Sequence, residues 1–359
     1  MPVPKSAADA ISPAFERTKR LMIQPFRLAT WSRLAFIAIC TGEFANSGWN
    51  GSSNFSLPSG GQPDNKLGLA AFPDIEQWMK YLPYILIGIV AVLCVGLVWM
   101  YVDSVFRFVL FDAVLRERYG IREGWRRWSE AGSSYFLWQV AFGLVELAIA
   151  GLVLGLPGWY IWKTKIYQHA ETHLGTLLLL GLMVFTVGLV LLLVSLLVVL
   201  AARDFVVPVM AMENVGVMEG WRRVLPMVGA EKGAYTLYVL MKIVLSIGSA
   251  ILFGIAGAIV FLVLLIPAGI GAAAIFVAAK AAGLGWNTYT IAAAGALGIL
   301  TLVAIFYVMG FVYAPGMVFF QAYTLYFLGR RYPALGAVLE PAPTAVVPPA
   351  EPLAAPGST

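Results

Sequence analysis

The sequence LLLVSLLVVL at residues 191–200 lies within a run, residues 174–202, that contains no charged side chain. A second uncharged run covers residues 281–329. Crossing the hydrocarbon core of a bilayer takes about 20 apolar residues in a helix, so both runs are long enough. In lipid every backbone amide needs an internal partner, which permits only helices and closed barrels. Because barrel strands alternate apolar and polar residues, these uninterrupted runs predict membrane-spanning helices.

The composition of the whole chain agrees with this prediction. Of its 359 residues, 60% are hydrophobic and 12% are charged, whereas about 25% of the residues in an ordinary soluble domain are charged. A short apolar piece at residues 34–40 and five stronger segments are the predicted crossings: 82–105, 134–156, 174–202, 234–266 and 288–311. The Gly/Ala-rich stretch 268–285 is expected to be a re-entrant or interfacial helix. The predicted fold is therefore an all-α, polytopic transmembrane bundle of about six spans.

The two ends of the chain differ in character from the middle. Residues 1–33 mix basic and aromatic side chains and are expected to form a basic interfacial segment. Residues 34–332 form the helical membrane domain, and residues 333–359, rich in Pro and Ala, are expected to be a disordered tail. With six crossings, 18 of the 24 Lys and Arg residues lie on one side. The positive-inside tendency then places both termini in the cytoplasm, and we expect a bacterial inner-membrane protein.

An internal repeat is the most informative feature of the sequence. Residues 107–127, here called the first copy, align without gaps with residues 203–223, the second copy, and eight of the 21 aligned positions are identical. Five consecutive identities spell EGWRR. The wider repeat units extend over about 82–133 and 174–233. Self-similarity of this kind indicates a duplicated structural unit.

Each copy is predicted to be a helix leaving the bilayer, a C-capping glycine and a short amphipathic helix on the membrane surface. On the polar face Glu123 precedes Arg127, and Glu219 precedes Arg223, by the four residues that favour a helical ion pair. The repeat could serve only to position helices, or its exposed face could bind lipid headgroups or a partner. The candidate lipid or partner surface consists of Trp125, Arg126, Arg127, Trp221, Arg222 and Arg223.

Residues 205–241 and their earlier twin resemble the membrane domain associated with bacterial glycerophosphoryl diester phosphodiesterases and related uncharacterised multi-pass membrane proteins. The shared pattern is carried by Pro208, Glu213, Gly216, Glu219 and Arg222. Gly220 stands where that group usually has alanine. The resemblance implies a helical membrane domain. The soluble catalytic barrel of such phosphodiesterases, with its metal-binding carboxylates, has no counterpart in this chain.

Two ionisable residues, Glu146 and Lys242, fall inside predicted spans, where charge is costly and often functional. They form a candidate intramembrane pair if their helices are neighbours, in either a structural or a transport role. His169 and His173 have helical metal-ligand spacing, but Glu171 stands one position away from the hydrolase pattern and no third ligand is evident. An ordinary exposed loop is therefore expected there. The sequence predicts no catalytic residue, no metal site and no cofactor.

The favoured function is that of a non-enzymatic membrane protein that organises lipid or a partner protein at the cytoplasmic face. The alternative is a transporter or channel that uses Glu146 and Lys242. A membrane-embedded enzyme has the least support, because no convergent set of polar residues is apparent. Membrane lipids are the expected partners, with a protein partner or a second copy of the chain as alternatives, and nucleic acid is not expected.

Overall fold

The structure is a computed structural model, and it describes residues 6–24, 26–41, 75–166, 172–283 and 288–340. These residues are almost entirely helical and include no β-strand. In chain order the elements are α1 (Ile11–Met22), α2 (Leu28–Cys40), α3 (Ile75–Arg116), α4 (Ile121–Thr164), α5 (Leu174–Ala201), a π-helix (Ala202–Val206), α6 (Val207–Glu213), α7 (Val217–Ala230), α8 (Lys232–Ala281), α9 (Thr288–Gly329) and α10 (Pro333–Leu339).

Five helical segments are long and apolar enough to cross a membrane, which confirms the predicted helical membrane fold. They are Tyr81–Arg116, Ile121–Thr164, Leu174–Glu213, Lys232–Ala281 and Tyr289–Gly329. The remaining predicted crossing, at residues 34–40, corresponds to α2. Its 13 residues extend only about 20 Å at 1.5 Å per residue. This is shorter than a hydrocarbon core of about 30 Å. Residues 42–74, which follow α2, lie outside the described part of the chain.

Two sequence expectations about local structure are wrong. The stretch 268–281 is not a separate re-entrant helix, because α8 continues through Pro267 without a break to Ala281. Its many alanines are strong helix formers and sustain the helix. The expected disordered tail begins instead with α10, whose Leu335 is fully buried. The rest of that tail, residues 341–359, lies outside the described residues.

The apolar spans and the packed core occupy different parts of the bundle. In the most apolar stretch of each span, at most 6% of the residues are buried, as suits helices that lipid solvates. The core is built chiefly from the last turns of three of these helical segments, residues 105–115, 202–211 and 314–328. Here Arg17 of α1 donates hydrogen bonds to carbonyls of α3, and Arg331 pairs with Glu231. Both described ends of the chain therefore meet the repeat copies at one end of the bundle.

Glycines permit the closest helix contacts in this core. A Cβ atom on Gly132 of α4 would lie 2.9 Å from the Cα atom of Val105 on α3. The glycines of the two EGWRR motifs make equivalent approaches: a Cβ on Gly124 would lie 3.0 Å from Val109, and one on Gly220 would lie 2.8 Å from Val206. The repeated glycine therefore lets the second helix of each copy pack tightly on the helix before it.

Replacing Gly132 with alanine should destabilise the protein by about 1–2 kcal/mol, because the new methyl group would meet backbone rather than a movable side chain. Gly143→Ala on the same helix is the matched control, since a Cβ there has no neighbour within 4 Å. Alanine is the better helix former, so the control should be neutral or slightly stabilising. Thermal unfolding in detergent measures both variants, and equal melting temperatures would contradict the close contact.

Candidate functional site

Each repeat copy is a helix, a turn and the start of a second helix, but the glycines do not cap the first helix as predicted. In the first copy α3 ends at Arg116, and Glu117 adopts a left-handed conformation with φ 58°. In the second copy Asn214 does so with φ 54° after α6. Gly120 and Gly216 instead precede the next helix, with φ −75° and −71°. The glycines thus stand at the start of α4 and α7, and other residues make the turn.

The predicted short surface helix is present only in the second copy. There α7 has 14 residues and stops before Glu231, whose backbone is not helical. In the first copy the corresponding segment is the beginning of α4, which runs unbroken for 44 residues. Because the segment continues directly into a span, it follows the direction of that span. The first copy is therefore a bend between two long helices.

The tryptophans of the candidate surface, Trp125 and Trp221, are half-buried against neighbouring helices. The ring of Trp125 lies edge-on to Tyr101, with centroids 5.7 Å apart, and Trp221 packs on Trp138 at the same separation. Trp128, one turn after Trp125, stacks on Phe108 and is 5% exposed. These aromatic side chains therefore contact neighbouring helices, and their contact with lipid headgroups stays a prediction.

The second arginine of each EGWRR motif forms an ion pair with a carboxylate that lies earlier in the same copy. Arg127 donates to Asp112 at 2.9 Å, and the Asp112 side chain is only 3% exposed. Arg223 pairs with Glu213 and, at 3.4 Å, with Glu219. The predicted Glu219–Arg223 pair is thus confirmed. The predicted Glu123–Arg127 pair is wrong, because Asp112 of α3 takes that arginine.

The Glu213 carboxylate also joins the C-terminal end of the chain to the second copy. It accepts a hydrogen bond from the Tyr332 hydroxyl, between α9 and α10. Burial, and then this hydrogen bond, raise the pKa of the Tyr332 hydroxyl above its ordinary value. The tyrosine is therefore a neutral donor at physiological pH, and Glu213 serves two partners at once.

The first arginine of each motif faces outward. Arg126 is exposed and has no side-chain partner among the described residues. Its repeat equivalent, Arg222, is 82% exposed, and Glu219, at 3.3 Å, is its one ion-pair partner among the described residues. Arg126 and Arg222 are thus the two arginines of the candidate surface that no carboxylate of the preceding helix holds.

The predicted pair between Glu146 and Lys242 is wrong, because each has a different partner. Glu146 of α4 accepts a hydrogen bond from Ser195 of α5. Lys242 of α8 forms an ion pair with Asp204 in the π-helix, at 2.5 Å. Both pairings depend on which helices are neighbours, and the sequence does not show which helices these are. The one sequence feature that pointed to a partner for Lys242 was Asp204, the first acidic residue after the uncharged run 174–202.

Other polar side chains that the sequence did not identify as site residues also lie in the buried core. Arg107 is 8% exposed, contacts Asp103 at 2.7 Å and donates to the carbonyl of Thr41 at the end of α2. Ser104 donates to Gln139 at 2.6 Å, joining α3 to α4. Ion pairs and hydrogen bonds thus tie the spans together where they enter the core.

The HAETH segment falls mostly outside the described residues, which include His173 but neither His169 nor Glu171. Within the described ranges, no three His, Cys, Asp or Glu side chains are grouped so that they could hold a metal ion.

A family with the description "Family of unknown function (DUF7544)" matches residues 5–338, which is nearly the whole chain. The search of curated proteins gives no match, and neither does the search of solved structures.

Proposed function

Because the chain belongs to DUF7544, a family of unknown function, we propose a role that rests on this molecule's own geometry. It is a non-enzymatic, multi-pass protein of the bacterial inner membrane, and the repeat-bearing end of its bundle faces the cytoplasm. There it binds anionic lipid headgroups. The similarity to the membrane domain associated with glycerophosphoryl diester phosphodiesterases is part of this proposal and adds only a shared helical architecture.

The outward arginines are the observation that carries the proposal. Arg126 and Arg222 occupy equivalent places in the two copies, and both are exposed while the next arginine is held by a carboxylate. A basic residue near an anionic leaflet gains about 1 kcal/mol of attraction. A duplicated unit that keeps one structural and one exposed arginine in each copy suits repeated contact with headgroups.

The N-terminal segment adds to this surface. On and after α1, Arg20 and Arg27 are exposed, and Phe15 and Phe26 are 60% and 62% exposed. The opposite face of α1 is buried against the bundle through Ala14 and its neighbours. A helix anchored on one side, with aromatic and basic residues on the other, is suited to the headgroup region.

The double variant Arg126→Gln/Arg222→Gln should weaken binding of phosphatidylglycerol by about thirtyfold in nanodiscs, because two favourable charges of about 1 kcal/mol each are removed. Lys163→Gln/Lys165→Gln is the matched control, since it removes two charges from the opposite end of α4. Native mass spectrometry of retained lipid measures both. Equal lipid retention in the arginine variant and the wild type would sink the proposal. A protein that copurifies only when the arginines are present would indicate a partner surface instead.

The transporter or channel alternative now depends on a different residue pair. Lys242 lies beside a small polar cavity, but its carboxylate partner is Asp204 rather than Glu146. That cavity has a volume of about 20 Å³, far below the hundreds of Å³ that organic ligands occupy. The alternative therefore fits an ion better than an organic solute.

A further inference from the structure

A small polar cavity lies where the π-helix meets α8 and α9. Its polar lining comes from Asp204, Lys242, Gln321 and Thr324, which are drawn from three different elements. The volume of about 20 Å³ is sufficient for one particle the size of a water molecule. The cavity therefore has room for one water molecule or one monatomic ion.

Only one of the two carboxylate oxygens of Asp204 accepts hydrogen bonds from the described residues. Its Oδ2 atom accepts hydrogen bonds from Lys242 at 2.5 Å and from the Tyr238 hydroxyl at 2.9 Å. The Oδ1 atom has no hydrogen bond among the described residues, and neither has the side-chain amide of Gln321. Tyr238 in turn shares a hydrogen bond of 2.7 Å with Thr324. Two of the residues that line the cavity, Asp204 and Gln321, thus each have a side-chain oxygen with no hydrogen bond among the described residues, and Tyr238 and Thr324 hold the Asp204 carboxylate from its other oxygen.

The internal repeat shows that this arrangement is particular to the second copy. Phe108 stands at the position of Asp204 in the first copy and is fully buried among apolar groups. The first copy also has regular α-helix there, whereas the second has the π-helix Ala202–Val206. Single π-helical turns within α-helices occur frequently at functional sites. The architecture therefore does not require an acid or a π-turn at this point.

We propose that the cavity beside Asp204 is a binding site for a monovalent cation, which displaces the Lys242 ammonium as the partner of the carboxylate. Carboxylate, amide and hydroxyl oxygens are the ligands that hard cations prefer. A single carboxylate balances the charge of one monovalent cation once the Lys242 ammonium has left. Lys242 is 22% exposed, so its flexible stem can carry the displaced ammonium to the aqueous boundary. The site does not depend on the lipid-binding proposal.

Melting temperatures of the purified full-length protein in NaCl, KCl and choline chloride of equal ionic strength test this site. Choline is too large for the cavity, so Na⁺ or K⁺ should raise the melting temperature relative to choline, because a ligand that binds only the folded state stabilises it. Lys242→Ala removes the internal competitor and should lower the half-maximal cation concentration by about tenfold or more. Asp204→Asn should abolish the difference between salts.

Two further variants separate this site from a general salt effect. Glu146→Gln removes a different carboxylate in the same bundle and should keep the cation response. Gln321→Ala leaves the ion pair intact and should raise the half-maximal concentration, which provides a reading even if an ion-pair variant fails to fold. Equal melting temperatures in all three salts, for both the wild type and Lys242→Ala, would overturn the proposal and indicate a water site. A cation response that survives in Asp204→Asn would also overturn it.

Discussion

Trp128→Ala should lower the free energy of unfolding by about 3–5 kcal/mol, the usual cost of removing a buried large aromatic side chain. The indole of Trp128 stacks on Phe108 at 5.7 Å and is 5% exposed, so alanine would leave a cavity between α3 and α4. A tryptophan that merely anchored the protein in headgroups would lose far less. Reversible unfolding in mixed micelles measures the change.

Two controls sharpen this result. Trp162→Ala, at a position that is 70% exposed at the far end of α4, should change stability by no more than about 0.5 kcal/mol. Trp128→Phe should retain most of the stability, because the indole N–H has no hydrogen-bond partner among the described residues. If Trp128→Ala behaved like Trp162→Ala, the packing of α4 against α3 would be wrong.

Arg17→Met should cost about 2–3 kcal/mol, because hydrogen bonds from a charged donor contribute more than neutral ones. The guanidinium of Arg17 donates to the carbonyls of Val114 and Leu115, both at 3.1 Å, and pairs with Glu117 at 3.2 Å. The last carbonyls of a helix lack partners within it, so this cation caps the C-terminus of α3. Methionine retains the apolar stem but cannot cap.

The capping role also predicts a local effect. Without Arg17, α1 should detach more easily, and its amides should exchange hydrogen faster than those of the bundle. Arg20→Met is the matched control, because Arg20 lies on the exposed face of the same helix. Slow exchange in α1 of the Arg17 variant, together with an unchanged unfolding free energy, would show that the helix is held by its apolar face alone.

The sequence predicted contacts within one helix better than contacts between different helices. The pair between Glu219 and Arg223 was predictable because both residues belong to one helix, where a spacing of four fixes their proximity. The same rule failed for Glu123, since Asp112 from the preceding helix competes for Arg127. The amphipathic pattern that begins α4 was predicted correctly, but the sequence did not show that Trp128 on its apolar side packs on Phe108 of α3. An amphipathic pattern shows that a face is covered and does not show what covers it.

The sequence by itself determined that the chain consists of long apolar helices, because the length and charge of a run are enough to decide whether it can lie in hydrocarbon. It also predicted a duplicated unit at residues 107–127 and 203–223. Only the tertiary structure decided that Asp204 meets Lys242, that Asp112 meets Arg127 and that Arg126 and Arg222 remain outside. Such contacts depend on which helices are neighbours and how they are rotated, and close approaches at residues such as Gly132 set both.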